Sequence, residues 1–475
     1  MIARLRPKVL QFLGVRRLTD AAAPEQPMNA PLFRLLTDIE QSLESSPSTL
    51  LDEDGQEYPS EKLHQNTILG RKYIGEIVMT ENTTRQIQEI TQDLEMHRPT
   101  LRMLTVKHKE KLALAQNKPT MYPSSQDFTD LEASAFLTSF TPQIYATTTN
   151  VLQEIRARLP EFRPVSVLDV SVGMGICSFV ADEIFDGIVD ISILESNKFL
   201  LSQVHKFHTS VSSSSPSSPS IEKTQTYRQH SQLPPNKTFD LVLGNHSILD
   251  QAKYNVSKRE IWVRKLWEKV SDQGGLLVLL EPGTNDGFEA IAAAREQILG
   301  FLKDDQGAAH KQGRIIAPCP HEGKCALFSG KKRIPCTFSQ RLQRPHYLQS
   351  LYASKSNTED IKYSYLVLQK GKSRPPADTE SILSQAYHWP RILSPPLKRK
   401  GHVTMDICLP CSGYKRITVP KSFGAMEYRN ARKVSWGDLW GLGWKTEVDK
   451  NTGDDDNTIV DDITMTKKSR FIDDY

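Results

Sequence analysis

The chain has 475 residues, 38% hydrophobic and 24% charged, with Pro (28) outnumbering Gly (25). This length sets an expectation of about three domains at roughly 150 residues each, and the proline excess points to substantial loop between folded parts. No stretch approaches the roughly 18 unbroken apolar residues of a membrane span, and six Cys in so long a chain exclude a disulfide scaffold. The net charge of +4 hides a segregation. Lys311 to Trp440 carry 23 Lys+Arg against 8 Asp+Glu, a footprint for a polyanion such as nucleic acid.

Residues 1–20 interleave Arg4, Arg6, Lys8, Arg16 and Arg17 with Ile2, Leu5, Val9, Leu10 and Leu13, and no acid precedes Asp20. That composition predicts a mitochondrial presequence and a matrix address. A reducing matrix makes free or metal-bound thiolates the expected cysteine states. Residues 21–160 read as a mostly helical region. Helices are predicted over Asn82–Ala115, interrupted at Pro99, and over Ser124–Leu159, where the pattern suggests two helices meeting near Pro142.

Residues 161–310 read as an α/β domain. Strands are predicted at Val165–Val170, Ile188–Leu194, Phe239–Leu243 and Gly275–Leu280, with helices at Arg259–Val270 and Phe288–Leu302. The run Thr209–Ser220 is low-complexity and predicts a flexible insertion. A late strand at Tyr363–Leu368 falls in the basic region, 311–445. Strands alternating with helices predict a doubly wound, mostly parallel sheet. The last segment, 446–475, carries seven Asp between Asp454 and Asp474 and reads as a disordered acidic tail.

The first strand runs into Asp169-Val170-Ser171-Val172-Gly173-Met174-Gly175. Such a turn admits a ligand close to the backbone, and Glu195, closing the next strand, is placed to accept from both hydroxyls of a ribose. Asn245, in the segment that the third strand runs into, completes a candidate S-adenosylmethionine site of Asp169, Ser171, Gly173, Gly175, Glu195 and Asn245. Ser171 stands where class I methyltransferases usually place the first glycine of D-x-G-x-G-x-G. Catalytic signals are thin. The third strand lacks the Asn/Asp-Pro-Pro-aromatic signature, Cys177 reads as a small buried residue, and His246 has no identified partner for base catalysis. No catalytic residue is assigned.

The other five cysteines, Cys319, Cys325, Cys336, Cys408 and Cys411, all lie in the basic region. Thiolates gathered beside Pro and Gly predict a metal site, either zinc or iron–sulfur. Spacing alone pairs Cys408 and Cys411 with two of the upstream three. Clustered Lys and Arg are expected to favour the thiolates.

Several segments carry a resemblance. They are Leu280-Glu281-Pro282-Gly283-Thr284 with Gly287-Phe288, Ala317-Pro318-Cys319-Pro320-His321 through Cys325, and Cys336-Thr337-Phe338-Ser339-Gln340. Tyr365-Leu366-Val367-Leu368, Trp389-Pro390-Arg391-Ile392, Lys400-Gly401-His402-Val403 and Ser435-Trp436-Gly437-Asp438 complete the set. Through them the chain, from roughly Tyr122 to Trp440, resembles the methyltransferase-like protein 17 family of mitochondrial small ribosomal subunit assembly factors and its fungal relatives. The resemblance implies a class I methyltransferase-like fold with a helical N-terminal region and a Cys-rich, basic C-terminal extension. It implies a [4Fe–4S] cluster on Cys319, Cys325, Cys336 and Cys408, with Cys411 outside the set. It implies binding to small-subunit rRNA and ribosomal proteins by a chain monomeric outside the ribosome, on a fold that has lost turnover. The cluster is expected to order a surface of Lys331, Lys332, Arg333, Arg341, Arg344, Lys398, Arg399 and Lys400 that meets RNA phosphates. Rival readings are an active S-adenosylmethionine-dependent rRNA methyltransferase and a zinc-stabilised permanent ribosomal subunit.

Overall fold

The computed structural model describes residues 49–51, 57–59, 63–92, 98–114, 124–214, 223–252, 255–304, 312–329, 335–352, 355–411 and 413–445. The predicted presequence and acidic tail lie outside them, as do Lys331, Lys332 and Arg333. Strands β1 (Thr49–Leu51) and β2 (Glu57–Pro59) form a small antiparallel hairpin.

The main sheet has nine strands. After β3 (Glu76–Ile77) come β4 (Ser166–Asp169), β5 (Asp190–Leu194), β6 (Thr224–Tyr227), β7 (Leu241–Asn245), β8 (Leu276–Pro282), β9 (Gly313–Ala317), β10 (Phe338–Gln343) and β11 (Thr358–Lys370). The order is β3-β10-β11-β8-β7-β4-β5-β6, with β9 also on β11. The run from β6 to β8 is entirely parallel, and its order reverses at β4 and β7. That is the topological switch point of a doubly wound fold, the place where such sheets bind ligands. Strand β11 is antiparallel to β8, so the sheet is mixed rather than wholly parallel. Five parallel strands followed by one reversed strand fit the class I methyltransferase-like fold that the resemblance implies.

Sequence period explains why the sheet is covered on both faces. In β8, Leu276, Val278 and Leu280 enter one core while Leu277 and Leu279 enter the other; in β7, Leu241 and Leu243 oppose Val242 in the same way. Successive strand side chains alternate faces, so an unbroken apolar strand needs a layer on each side. One layer includes helices Asp130–Arg158, Ile176–Ile184 and Lys198–Ser214, the other Val256–Glu268 and Asn285–Asp304.

Two expectations are corrected. Asp130–Arg158 is one helix running through Pro142, not two. Nearly every residue from Ala133 to Ile155 is buried, and packing around most of the circumference holds the helix across the missing N–H. The Ser-rich run begins inside helix Lys198–Ser214; 215–222 lie outside the described residues.

The basic region adds what sequence reading did not resolve. Strands β9 and β10 run in the same direction along the same side of β11, with Ala317 opposite Val367 and Phe338 opposite Tyr363. They are two halves of one edge line, interrupted by the loop 318–337 that bears three of the cysteines. Beyond β11, β12 (Arg391–Ile392), β13 (Leu397–Arg399), β14 (His402–Cys408) and β15 (Tyr414–Pro420) build a separate antiparallel sheet. Its core is Ile392, Val403, Met405, Ile407, Ile417 and Val419, closed by Ala431, Val434 and Trp440. Among the described residues no helix is long and apolar enough to cross a membrane.

Candidate functional site

At the switch point the turn after β4 is built as the sequence suggested. Asp169 accepts from the Ser171 amide (2.9 Å) and from the Ser178 amide (2.8 Å), stapling the turn to the helix that follows. Gly173 and Gly175 have φ of 127° and 75°, a region that excludes most side chains. At Gly175 a Cβ would also meet Ile193 Cδ1 at 2.6 Å. Glu195 accepts from the Gly173 amide (3.1 Å) and the Asn197 amide (2.8 Å). Ser171 is a tie: its Oγ accepts from the Asn245 amide (2.9 Å), linking the turns after β4 and β7. The Asn245 side chain donates to Thr148 Oγ1 (3.1 Å) of the long helix.

The structure brings these six residues together, but every one is buried by the chain's own atoms. Phe136 and Leu137 of the long helix lie over Gly173. Phe136 and Phe140 pack edge-on against the ring of His246, whose φ of 61° is strained for a non-glycine residue. Segment Ser124–Phe128 lies across the adjacent strand ends. Asn197 Nδ2 donates to Ser125 O (2.9 Å) and Phe128 O (3.1 Å), and the Ser125 amide donates to Asp250. The turn after β4 is therefore covered by the chain's own atoms, with residues of Ser124–Phe140 lying over it. Burial pushes Glu195 and Glu281 up to about 8 and Asp250 up to about 6. Cys177 is buried and its thiol is pushed well above the ordinary value, by burial and then by Asp169.

A second constellation lies where the two sheets meet. Cys319, Cys325 and Cys336 sit on the loop between β9 and β10, and Cys408 ends β14 directly opposite Arg391 of β12. The charges of Cys319, Cys336 and Cys325 all act on Cys408, and those of Cys319 and Cys325 act on Cys336. Cys411 lies in the turn between β14 and β15. Burial pushes the Cys336 and Cys408 thiols well up, and mutual repulsion adds to it. Arg391 and Arg295 act on Cys336 toward the thiolate, the direction expected of nearby cations, while desolvation is the larger effect. Among the described residues no three His, Cys, Asp or Glu side chains gather as a single-ion site.

The loop is gripped by buried arginines that sequence reading did not single out as functional. Arg391 Nε donates to Pro318 O (2.9 Å), Nη1 to Gly437 O (2.7 Å) and Nη2 to Glu154 (2.6 Å). Glu154 also takes Lys72 Nζ (2.9 Å) and the Tyr365 hydroxyl (2.6 Å). One carboxylate thus joins the N-terminal segment, the long helix, the main sheet and the C-terminal sheet. Arg391 stood in the Trp-Pro-Arg-Ile motif, which was a signal. Glu154 and Arg158, four apart on a helix, carry no sequence signal that separates them from an ordinary surface pair.

The expected RNA surface is divided. Arg341 forms a two-pronged pair with Asp360 (2.7 and 2.9 Å), and Arg344 pairs with Glu359 (3.2 Å), both on the main sheet. Both charges are paired with carboxylates of the main sheet. Lys398, Arg399 and Lys400 are exposed on the C-terminal sheet.

Comparison with known proteins identifies the family. Residues 130–441 match the family model described as "Mitochondrial small ribosomal subunit Rsm22". The Rsm22-cox11 tandem protein 2 of Schizosaccharomyces pombe is 33% identical over 371 residues, covering 71% of this chain and 47% of its own length. The human ribosome assembly protein METTL17 is 28% identical over 298 residues, covering 62% of this chain and 59% of its own length. The chain therefore spans about half the length of the curated relatives it matches. Among solved structures, a SAM-dependent methyltransferase from Agrobacterium tumefaciens aligns with 50% of this chain and 64% of its own, at 12% identity and a TM-score of 0.29. With the family match running from the start of the long helix to the end of the C-terminal sheet core, the chain belongs to the Rsm22 family of the mitochondrial small ribosomal subunit.

Proposed function

We propose that this chain is a mitochondrial assembly protein of the small ribosomal subunit, binding its rRNA and proteins through a basic region ordered by a [4Fe–4S] cluster. The relatives named as mitochondrial ribosome assembly proteins support the setting. The observation that carries the cluster assignment is that four half-buried cysteines from two sheets, three on the β9–β10 loop and Cys408 on β14, act on one another electrostatically. Cys319, Cys325, Cys336 and Cys408 would hold such a cluster, whose ligands are four cysteine thiolates. When bound, the group supplies a covalent cross-link between elements far apart in sequence, and metal binding of that kind is folding free energy. The chain's residues supply burial, the four sulfurs and the arginine-held loop. Methyl transfer is left out of this reading, which the packing of Phe136 and Leu137 over Gly173 supports.

Anaerobic purification followed by iron, sulfide and zinc analysis tests it. Cys319→Ser and Cys408→Ser are expected to lose iron and co-sedimentation with small subunits, while Cys411→Ser keeps both. Metal-free protein that is folded and still co-sediments overturns the reading, and zinc in place of iron favours a zinc-stabilised subunit.

A further inference from the structure

The stretch Pro318–Gly323, which carries Cys319, is fastened by guanidinium groups from three separate elements. Arg391 of β12 takes Pro318 O, and Arg374, beyond β11, takes Pro320 O. Arg295, from helix Asn285–Asp304, takes His321 O (2.9 Å) and Gly323 O (2.8 Å) through one nitrogen. The three flank Cys319 on both sides in sequence, and each interacts with its charge.

These side chains are more than loop supports. Arg295 and Arg391 are 2% and 1% exposed, and a buried guanidinium needs its charge met. Glu154 meets Arg391 but is shared with Lys72 and Arg158. Glu296 pairs with Arg295 from the rim, and Glu322 stands 4.0 Å from Arg374. Even so, Arg295 Nε and Arg374 Nη1 are buried donors with no hydrogen-bond partner. Leaving a buried charged donor unmet is costly, and two such donors beside the same thiol point to an anionic acceptor there.

We propose that Arg295 and Arg374 are positioning residues for the cluster, holding the Cys319 loop by its carbonyls and bringing their charge to bear on Cys319. The inference rests on the cluster reading above and deepens it. A cluster held by four thiolates is a dianion when oxidised and more negative when reduced, so a buried cation beside it favours the reduced form. Removing that cation lowers the midpoint potential. Replacing Arg295 by lysine keeps the charge but loses the paired carbonyl contacts, so it separates electrostatics from loop support.

The test uses the full chain, purified anaerobically, with potential read by redox titration under electron paramagnetic resonance. Cluster lifetime is read from iron loss to a chelator. Arg295→Gln and Arg374→Gln are expected to shift the midpoint negative while retaining iron at isolation. Arg295→Lys is expected to hold the midpoint near wild type yet lose iron several-fold faster. Because Arg295 is buried and its glutamine variant risks misfolding, the less buried Arg374 carries the measurement independently. Iron-loaded variants with unchanged midpoint and lifetime overturn the inference alone. Wild-type protein isolated without iron overturns the underlying reading and takes the inference with it.

Discussion

At the residue scale, two buried glutamates show how environment sets opposite behaviour in one side-chain type. Burial by itself would raise Glu154, but Arg391, Lys72 and Arg158 outweigh it and hold the carboxyl well below its ordinary value. Its contribution to stability is present above pH 4.5 and is lost only as acid approaches its depressed folded value. Glu195 has no cation to offset desolvation, and Asp250 nearby adds repulsion, so it rises to about 8. The folded state therefore holds a proton that the unfolded chain releases between pH 4.5 and about 8. Stability from this group is full below 4.5 and declines as pH rises through that window. Glu281 shifts the same way. Urea midpoints of the wild type are expected to fall between about pH 5 and 8, by an amount on the order of a few kcal/mol when converted. Glu195→Gln, which keeps an acceptor for the Gly173 amide, is expected to flatten the curve. An equally steep curve in that variant would refute the assignment.

At the element scale, the turn after β4 separates a fold from a cofactor site. Ser171 occupies a consensus glycine position, yet its hydroxyl is used internally on the Asn245 amide (2.9 Å). Ser171→Gly restores the consensus but removes that bond and leaves the covering layer of Phe136, Phe140 and Ser124–Phe128 in place. Calorimetric titration with S-adenosylmethionine is expected to show no binding in either protein, and the variant should be less stable by about 1 kcal/mol. Binding gained by the glycine variant would mean that the serine, not the covering segment, closes the cleft. The same contrast shows what sequence makes legible. Strands β4, β5, β7, β8 and the apolar stretch of β11 were readable because apolar runs bounded by Gly and Pro are local signals. The covering segment was not, because nothing in Ser124–Phe140 announces which strand ends it will face. The β9–β10 line was equally hidden, since its continuity exists only through β11. The cysteines were visible by type, but the preference for Cys408 depends on register: Arg391 faces Cys408 only once β12 and β14 pair.

At the scale of the whole molecule, charge segregation is partly an internal matter. Of the basic excess in Lys311–Trp440, Arg374 and Arg391 face inward to the cysteine loop, while Arg341 and Arg416 are paired with Asp360 and Asp406. The cations left to meet a polyanion include Lys398, Arg399 and Lys400 on the exposed rim of the C-terminal sheet. Phosphate contacts release counterions, and each contact contributes roughly 0.7 to 0.9 to the slope of log affinity against log salt. Replacing those three together with alanine is expected to lower the slope by about 2 to 3, by similar amounts for different rRNA fragments, because phosphate contacts carry no base information. Replacing Arg341 and Arg344 together should leave the slope nearly unchanged, since Asp360 and Glu359 already meet their charge. Fluorescence anisotropy of labelled fragments across a potassium chloride series distinguishes these outcomes. A slope unaltered by the triple replacement would remove this rim from the RNA surface. A slope reduced by the Arg341 and Arg344 pair would show that RNA outcompetes the two carboxylates, placing the contact on the main sheet instead.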